Sequence, residues 1–382
     1  MRMLIVTPDF GMAGGVAAFH RMLRDHMTSD LEYFIVGSRR RNESFWRSVC
    51  RCLWDAVRFY RAVREWKPDV VILNPSLRGK ALPRDGLLLL IAKGLGTKVV
   101  VFFHGWDSRC ERFIRERCLR LFRAVFFRAD ALVVLGALFR NRLMEMGYGG
   151  PIYVATTAVE DSFITDCDHR ARSPEDGGGK PFRVLFLTRI EKAKGIYEAL
   201  DTYRMVKRDN PQTVLTVAGD GNELATVRRY VRDRQIRDVA FTGYLKGEAK
   251  RRVFLASDCY LFPSYSEGMP LSVLEAMACG LPVVTHAVGG LRDFFESERM
   301  GFMTESQLPE VYARYIGRLA RDAELCRQMG RFNRAYAKEH FSASKVAVRF
   351  EDICRDVLAG RVPVEGKTTA STAGLSTAGR AV

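Results

Sequence analysis

Short runs of β-branched and aliphatic residues alternate with helix-period stretches along almost the whole chain, and they do so in two separate series. That alternation demands parallel strands joined by crossover helices. In the first series the strand candidates are Met3–Thr7, Tyr33–Val36, Val70–Asn74, Lys98–Phe103, Leu132–Leu135 and Ile152–Ala155. Helical stretches fall between them at Val16–Met27, Ser44–Glu65, Arg84–Lys93, Arg109–Arg128 and Ala137–Met146. The segment Thr165–Lys180 is polar and ends in Asp176-Gly177-Gly178-Gly179, which reads as an exposed connection. A second series places strands at Phe182–Leu187, Thr213–Val217, Val239–Thr242, Cys259–Phe262 and Pro282–Thr285, with helices at Gly195–Asp209, Asn222–Arg234, Lys246–Ala256 and Pro270–Cys279. Three further helices follow: Leu308–Arg321, Ala323–His340 and Ala343–Leu358. The expectation is α/β, two Rossmann-like doubly wound domains in tandem. Residues 1–164 form one, 165–181 a linker and 182–360 the other, whose last helices can pack back on the first; 361–382, rich in Thr, Ala, Gly and Ser, form a tail without structure. Ligands of such sheets bind at the carboxyl ends of the strands, here facing a central cleft.

Several classes are excluded early. The longest apolar run, Leu87–Ala92, is far below the roughly 20 residues of a membrane-crossing helix. The N-terminus enters a strand directly, without the basic, apolar and small-residue pattern of a secretion signal. Nine cysteines with no Cys-x-x-Cys spacing argue against a disulfide framework or a zinc site. A cytoplasmic protein is expected.

The formal charge of +16 is unevenly placed, with a net +11 in residues 1–160 and +5 in the remainder. Two stretches concentrate it. Trp46–Lys67 interleaves Arg47, Arg51, Arg58, Arg61, Arg64 and Lys67 with tryptophans and other aromatics, and Arg109–Arg128 carries seven arginines among Phe113, Leu121, Phe122 and Phe126. Basic amphipathic helices with aromatics suit an anionic membrane surface; the plainer reading packs the apolar stripe on the sheet and leaves the arginines solvated. Nucleic acid is not the expected partner, since no recognition module is legible.

The most informative run is Pro263 to Val284. A buried strand ends at Phe262, Glu267 sits in the loop that follows, Pro270 suits a helix start, and Gly280 with Pro282 ends that helix. Glu267 therefore stands at a helix N-terminus, an anion site, and Glu275 lies about a turn and a half inside. Carboxylates accept from adjacent hydroxyls, so the pair suits a sugar and a ribose around one diphosphate. Alone, both are equally well explained as dipole-favoured residues.

The spacing Glu267-Gly268-x-Pro270 to Glu275 resembles the Glu-x7-Glu motif of the retaining glycosyltransferases of family 4. Arg189-x4-Lys194-Gly195 resembles the block opening that family's donor domain, Gly219-Asp220-Gly221 its Gly-Asp-Gly turn, and Gly289-Gly290 its later glycine pair. The resemblance implies a GT-B fold and a hexose moved from a nucleotide-diphosphate sugar. Arg189 and Lys194 would neutralise the leaving diphosphate, as a planar fork and a point charge. Glu267 would hold the transferred sugar, with Gly268, Met269, Pro270 and Leu271 lining the donor and Glu275 on the ribose. Gly219 and Gly221 join the donor set, and Gly15, after strand one, gives backbone access to a phosphate or sugar. His104, ending a buried strand, is the pocket histidine that contacts the transferred sugar; Asp107 is a weaker acceptor contact, and His286 lies near the glycine pair. Two departures stand out: Thr188 where the family has Gly, and Thr156-Thr157-Ala158-Val159-Glu160 where it often has Pro-Asn-Gly-Val-Asp.

The reaction is expected to need neither metal nor other cofactor, the two cations Arg189 and Lys194 serving the leaving group. The Glu-Gly-Met-Pro wording favours a UDP-sugar. The acceptor is expected to be a saccharide or lipid-linked saccharide of cell-surface polysaccharide or lipopolysaccharide synthesis, reached from the inner face of a membrane. A sugar-nucleotide epimerase of the same fold and an inactive membrane-associated homologue remain the alternatives.

Overall fold

A computed structural model describes residues 1–12, 14–37, 45–77, 81–168 and 180–363. Residues 169–179 of the expected connection, His169 among them, and the tail from residue 364 lie outside the described residues. The first series folds as β1 (Arg2–Pro8), α1 (Gly15–Arg24), β2 (Asp30–Val36), α2 (Phe45–Trp66), β3 (Val70–Leu73), β4 (Ser76–Leu77), α3 (Ala81–Gly94), β5 (Lys98–Phe103), β6 (Gly105–Trp106), α4 (Ser108–Phe113), α5 (Leu119–Phe126), β7 (Ala131–Val134), α6 (Ala137–Glu145) and β8 (Ile152–Val154), with one π-helical turn, Ile114–Cys118, between α4 and α5. The second comprises α7 (Asp161–Asp168), β9 (Arg183–Leu187), α8 (Ile196–Asp209), β10 (Val214–Ala218), α9 (Leu224–Asp233), β11 (Val239–Gly243), α10 (Gly247–Leu255), β12 (Cys259–Phe262), α11 (Leu271–Ala278), β13 (Val283–His286), α12 (Leu291–Phe294), β14 (Gly301–Thr304), α13 (Pro309–Arg321), α14 (Ala323–His340) and α15 (Ala343–Leu358).

Each series builds a six-stranded sheet, ordered β2-β1-β3-β5-β7-β8 and β11-β10-β9-β12-β13-β14, and the strand pairs within both are parallel. The central strands β3, β5, β7 and β12 are apolar on both faces, as helices on both sides require. Strand order reverses between β1 and β3 in one sheet and between β9 and β12 in the other. Those reversals open the crevices where ligands bind.

Three features differ from the sequence reading. The polar connection was expected from Thr165, yet α7 continues to Asp168, with Phe163, Ile164 and Cys167 packed into the second sheet's core. Three apolar residues on a helix face outweigh the polar average of the segment. The uniform helix expected over Arg109–Arg128 is broken by the π turn. Strand β14 and the short helix α12 carry too little periodicity to be read.

The last helix crosses to the first domain, where Val346, Ala347 and Phe350 pack with Met3, Phe19 and Leu23. Glu351 fixes it there. Its buried carboxylate accepts from Thr28 N at 2.9 Å, Thr28 Oγ1 at 2.7 Å and Ser29 N at 2.7 Å. Burial raises its pKa, but the bonds from Ser29 and Thr28 outweigh burial and the net direction is downward. Among the described residues no helix is long and apolar enough to cross a membrane. Glu351→Ala strands two backbone donors and frees α15, so the unfolding transition that reports the first domain should lose about 3 kcal/mol in urea titration.

Candidate active site

The loops after β9 and β12 flank the reversal point of the second sheet, and they are forced together by backbone contact. Gly195 takes φ +75°, and a Cβ there would stand 2.1 Å from the carbonyl oxygen of Pro263. Tyr265 N donates to Ala193 O at 3.0 Å across the same seam. This closeness delivers Lys194 to Glu267: Lys194 Nζ donates to Glu267 Oε1 at 2.6 Å, and Ser264 Oγ donates to the same oxygen at 2.8 Å. The lysine and serine are buried and the glutamate side chain is only 14% exposed. A cation and an anion so placed stabilise each other where neither is well hydrated.

Arg189, in the same loop as Lys194, is 57% exposed along its side chain and pairs with Glu191 at 2.8 Å. It is a mobile-armed charge at the mouth, whereas Lys194 is fixed in the wall. Glu275 is buried inside α11 and accepts from Lys250 Nζ on α10. Burial raises its pKa on balance, with Lys250 offsetting only part of the rise. Lys250 is not legible in the sequence as a site residue, because it is one of many basic residues on an amphipathic helix. The first turn of α11 has no side-chain cap and no acidic residue, and although Val273 N donates to Pro270 O, the N–H groups of Leu271 and Ser272 before it carry no side-chain cap. Pro270 precedes this helix as its cap residue rather than lying within the first turn.

Gly219 and Gly221 were expected on a donor. The structure gives them a bracing position: a Cβ at Gly219 would lie 1.9 Å from Thr188 O, and one at Gly221 2.3 Å from Ile190 O. Ile190 N donates to Asp220 O and Glu223 N to Ile190 O, so the turn holds the Arg189 loop from behind. Gly15, by contrast, opens α1 with open space around it: a Cβ there would meet nothing within 4 Å, which leaves the backbone accessible. Asp107 is engaged as the cap of α4, accepting from Arg109 N at 2.9 Å and Cys110 N at 3.0 Å.

The first domain contributes His104, at the end of β5. Its backbone carbonyl lies 3.2 Å from where a Gly268 Cβ would be, so the Glu267–Gly268 loop meets it across the cleft. Met269 continues this contact, packing against both the second core and the first. Leu135, Gly136 and Gly290 meet backbone to backbone, and Ala137 N donates to Asp293 Oδ2 at 2.6 Å, so an acid of one domain caps α6 of the other. Leu271 opens α11 behind this seam.

His104 is held by a residue the sequence does not mark. Asn74, after β3, donates from Nδ2 to Val6 O at 2.8 Å, which turns its Oδ1 to His104 Nε2 at 3.0 Å. A neutral His104 therefore carries its proton on Nε2 and leaves Nδ1 as an acceptor. Its pKa is driven well below the usual value by burial and by His20, whose ring centroid is 5.9 Å away. His20, an ordinary helix residue as far as the sequence shows, is itself buried with Nε2 unpartnered. Burial lowers its pKa to about 4, a bond with Asn74 offsetting only part of that.

With this geometry in place, the likenesses to known proteins are specific. Residues 169–336 match the family model described as glycosyl transferases group 1. The amylovoran biosynthesis glycosyltransferase AmsK of Erwinia amylovora is 26% identical over 236 residues, 60% of this chain and 56% of that protein. The chain thus spans about half the length of the curated relatives it matches. Among solved structures, sucrose-phosphate synthase of Thermosynechococcus elongatus superposes with TM-score 0.72 at 18% identity, covering 94% of this chain and 99% of that one. Anabaena HepE in complex with UDP-glucose gives 0.69 at 16% identity, covering 93% and 100%. The fold is GT-B, and the match to the group 1 glycosyl transferase model falls on the second domain.

Because the folded-state pKa of His20 is lowered, protons bind the unfolded chain preferentially between pH 6.5 and about 4. Stability should fall as pH drops through that window, by about 3 kcal/mol for this group. Thermal unfolding against pH should show a shallower acid limb for His20→Phe; an unchanged limb would assign the acid sensitivity elsewhere.

Proposed function

We propose that this chain is a retaining glycosyltransferase of the family 4 type, moving a hexose from a nucleotide-diphosphate sugar, with UDP favoured, to a saccharide or lipid-linked acceptor in cell-surface polysaccharide or lipopolysaccharide synthesis. The observation that carries the reading is the buried Lys194–Glu267 pair at the reversal point of the second sheet, in a loop that meets the His104 backbone across the cleft. Departure of a nucleoside diphosphate concentrates negative charge, and a preorganised cation beside an uncapped helix N-terminus is suited to receive it. Lys194 serves as the fixed charge and Arg189, exposed beside it in sequence, swings onto the same oxygens. These two charges take the part a divalent metal would otherwise play.

Glu267 in this reading turns its carboxylate to hydroxyls of the transferred sugar, while Lys194 holds it in place. Glu275 holds the ribose. His104, protonated on Nε2 and open at Nδ1, accepts a hydroxyl of the same sugar from the acceptor side. The Anabaena protein solved with UDP-glucose supports the UDP preference, and the relative named for amylovoran biosynthesis supports a polysaccharide setting. A cytoplasmic location, peripheral on the inner face of a membrane, belongs to the same proposal.

A thermal-shift panel of nucleotides should show stabilisation by UDP above GDP, since ligand held by the native state raises its stability. In donor-turnover assays Lys194→Ala and Arg189→Ala should each lose about 3 kcal/mol of transition-state stabilisation, roughly a hundredfold or more in kcat. Wild-type turnover in both variants would sink the assignment, and stabilisation by GDP alone would reverse the base preference.

A further inference from the structure

The basic-aromatic stretches divide, on folding, into an inner and an outer face. Phe59, Val63, Phe122 and Phe126 enter the first core, together with Leu88 and Leu89 of α3 between them. What remains outside is unusual. On α2, Leu53, Trp54, Val57 and Tyr60 are exposed at helical spacing, Trp54 by 59%. At the end of α4 Phe113 is 60% exposed, and on α5 Leu121 is 66% exposed. Helix α3 lies between and contacts both, and its outward positions Leu87 and Leu90 are also exposed. A largely apolar strip thus runs down a three-helix surface, with Arg64 Nη1 donating to Tyr60 Oη at 3.1 Å within it.

Arginines border it on both sides. Arg61 and Arg64 are exposed on α2, and Arg117 and Arg120 on the other flank, with Glu65 and Glu116 as exposed acids beside them. Not every arginine in these helices is available. Arg115 bonds Glu111 at 3.0 Å and Glu145 at 3.0 Å, and Arg123 Nε donates to Met146 O at 2.6 Å. Those two hold α6 and are structural. The outward residues retain the combination of large apolar side chains ringed by cations that partitions into an anionic bilayer interface.

We infer that the outer face of α2, α3 and α5 docks on a bilayer, seating Trp54, Phe113 and Leu121 below the headgroups while the flanking arginines meet lipid phosphates. Charge complementarity selects this occupant, because the charges around the strip are predominantly cationic, with Glu65 and Glu116 standing among more numerous arginines. Topology adds a reason of position. Helices of doubly wound sheets start at the carboxyl ends of their strands, so α4 begins four residues after His104, at the cleft itself. Docking by this face brings the acceptor side of the cleft to the lipid surface. The inference rests on the proposed function for its purpose, since a lipid-linked acceptor explains why the face exists, but the binding itself requires no turnover.

The test is sedimentation of the full chain with phosphatidylcholine vesicles, with and without phosphatidylglycerol, at low and high salt. The wild type should bind the anionic vesicles at low salt and be released by high salt. Arg117→Glu with Arg120→Glu should lower partitioning by roughly 25-fold or more, from about fivefold per arginine. Arg229→Glu with Arg232→Glu, on α9 of the second domain, makes the same change in net charge and should leave binding intact. Brominated lipid should quench tryptophan emission in the wild type and much less in Trp54→Phe. Stabilisation by UDP, measured on every variant, identifies folded protein. If the α9 pair loses as much binding as the α5 pair, if the wild type stays in the supernatant at low salt, or if it binds duplex DNA as tightly as vesicles, the inference is overturned. Self-association without lipid that Leu121→Glu abolishes would overturn it as well, by making the face a contact between copies. Vesicle binding without any nucleotide response would leave the docking face standing and remove the enzymatic reading.

Discussion

The close pairing of Lys194 with Glu267 is the contact on which the cleft depends. Each group, buried alone, would be strongly unfavourable, and removing one partner of such a pair typically costs about 3–5 kcal/mol. Its formation requires that two loops from different strands approach to backbone contact, which only Gly195 in a left-handed conformation allows against Pro263. Thus the ion pair, the glycine and the position of the helix start at α11 are one constraint. A change in any of them displaces the fixed cation from the helix N-terminus it faces.

The same logic sets the relation of the domains. Leu135, Gly136 and Gly290 touch through backbone, and the Asp293 carboxylate occupies the start of α6. Burial raises the Asp293 pKa, and the bond from Ala137 acts against it. The cap is therefore a polar contact held in a partly dry seam, with Met269 filling the space beside it. Helix α15 closes the arrangement from behind, leaving the second domain to pack on the first through Phe350 and Glu351. Both faces of the cleft are positioned by these contacts rather than by the polar connection between the domains.

On the first domain, Asn74 links β1 to β5 by one amide, donating to Val6 and accepting from His104. The tautomer of the histidine is decided by a backbone carbonyl two strands away. His20 lies against the same ring and burial lowers the pKa of both, so the end of β5 carries an uncharged imidazole pair while the loop that meets its backbone carries the Lys194–Glu267 ion pair. That asymmetry suits a site in which one side manages phosphate charge and the other only hydroxyl groups.

The sequence by itself determined the two sheets, since β-branched runs separated by helix-period stretches have few other ways to bury their apolar faces. It also made Arg189, Lys194, Glu267 and Glu275 readable as charged residue types at characteristic spacing. Tertiary structure decided the roles that depend on proximity. Gly219 and Gly221 look like ligand glycines in sequence but stand against Thr188 and Ile190 as packing glycines, a distinction that exists only once two loops are adjacent. Asn74, His20 and Lys250 carry no local signal, because their significance comes from partners 30, 84 and 25 positions away. The arginines of α5 and the turn before it are equivalent as letters, yet Arg115 and Arg123 are spent on α6 while Arg117 and Arg120 face outward. Periodicity records which side of a helix is apolar; only packing records which charges have found a partner.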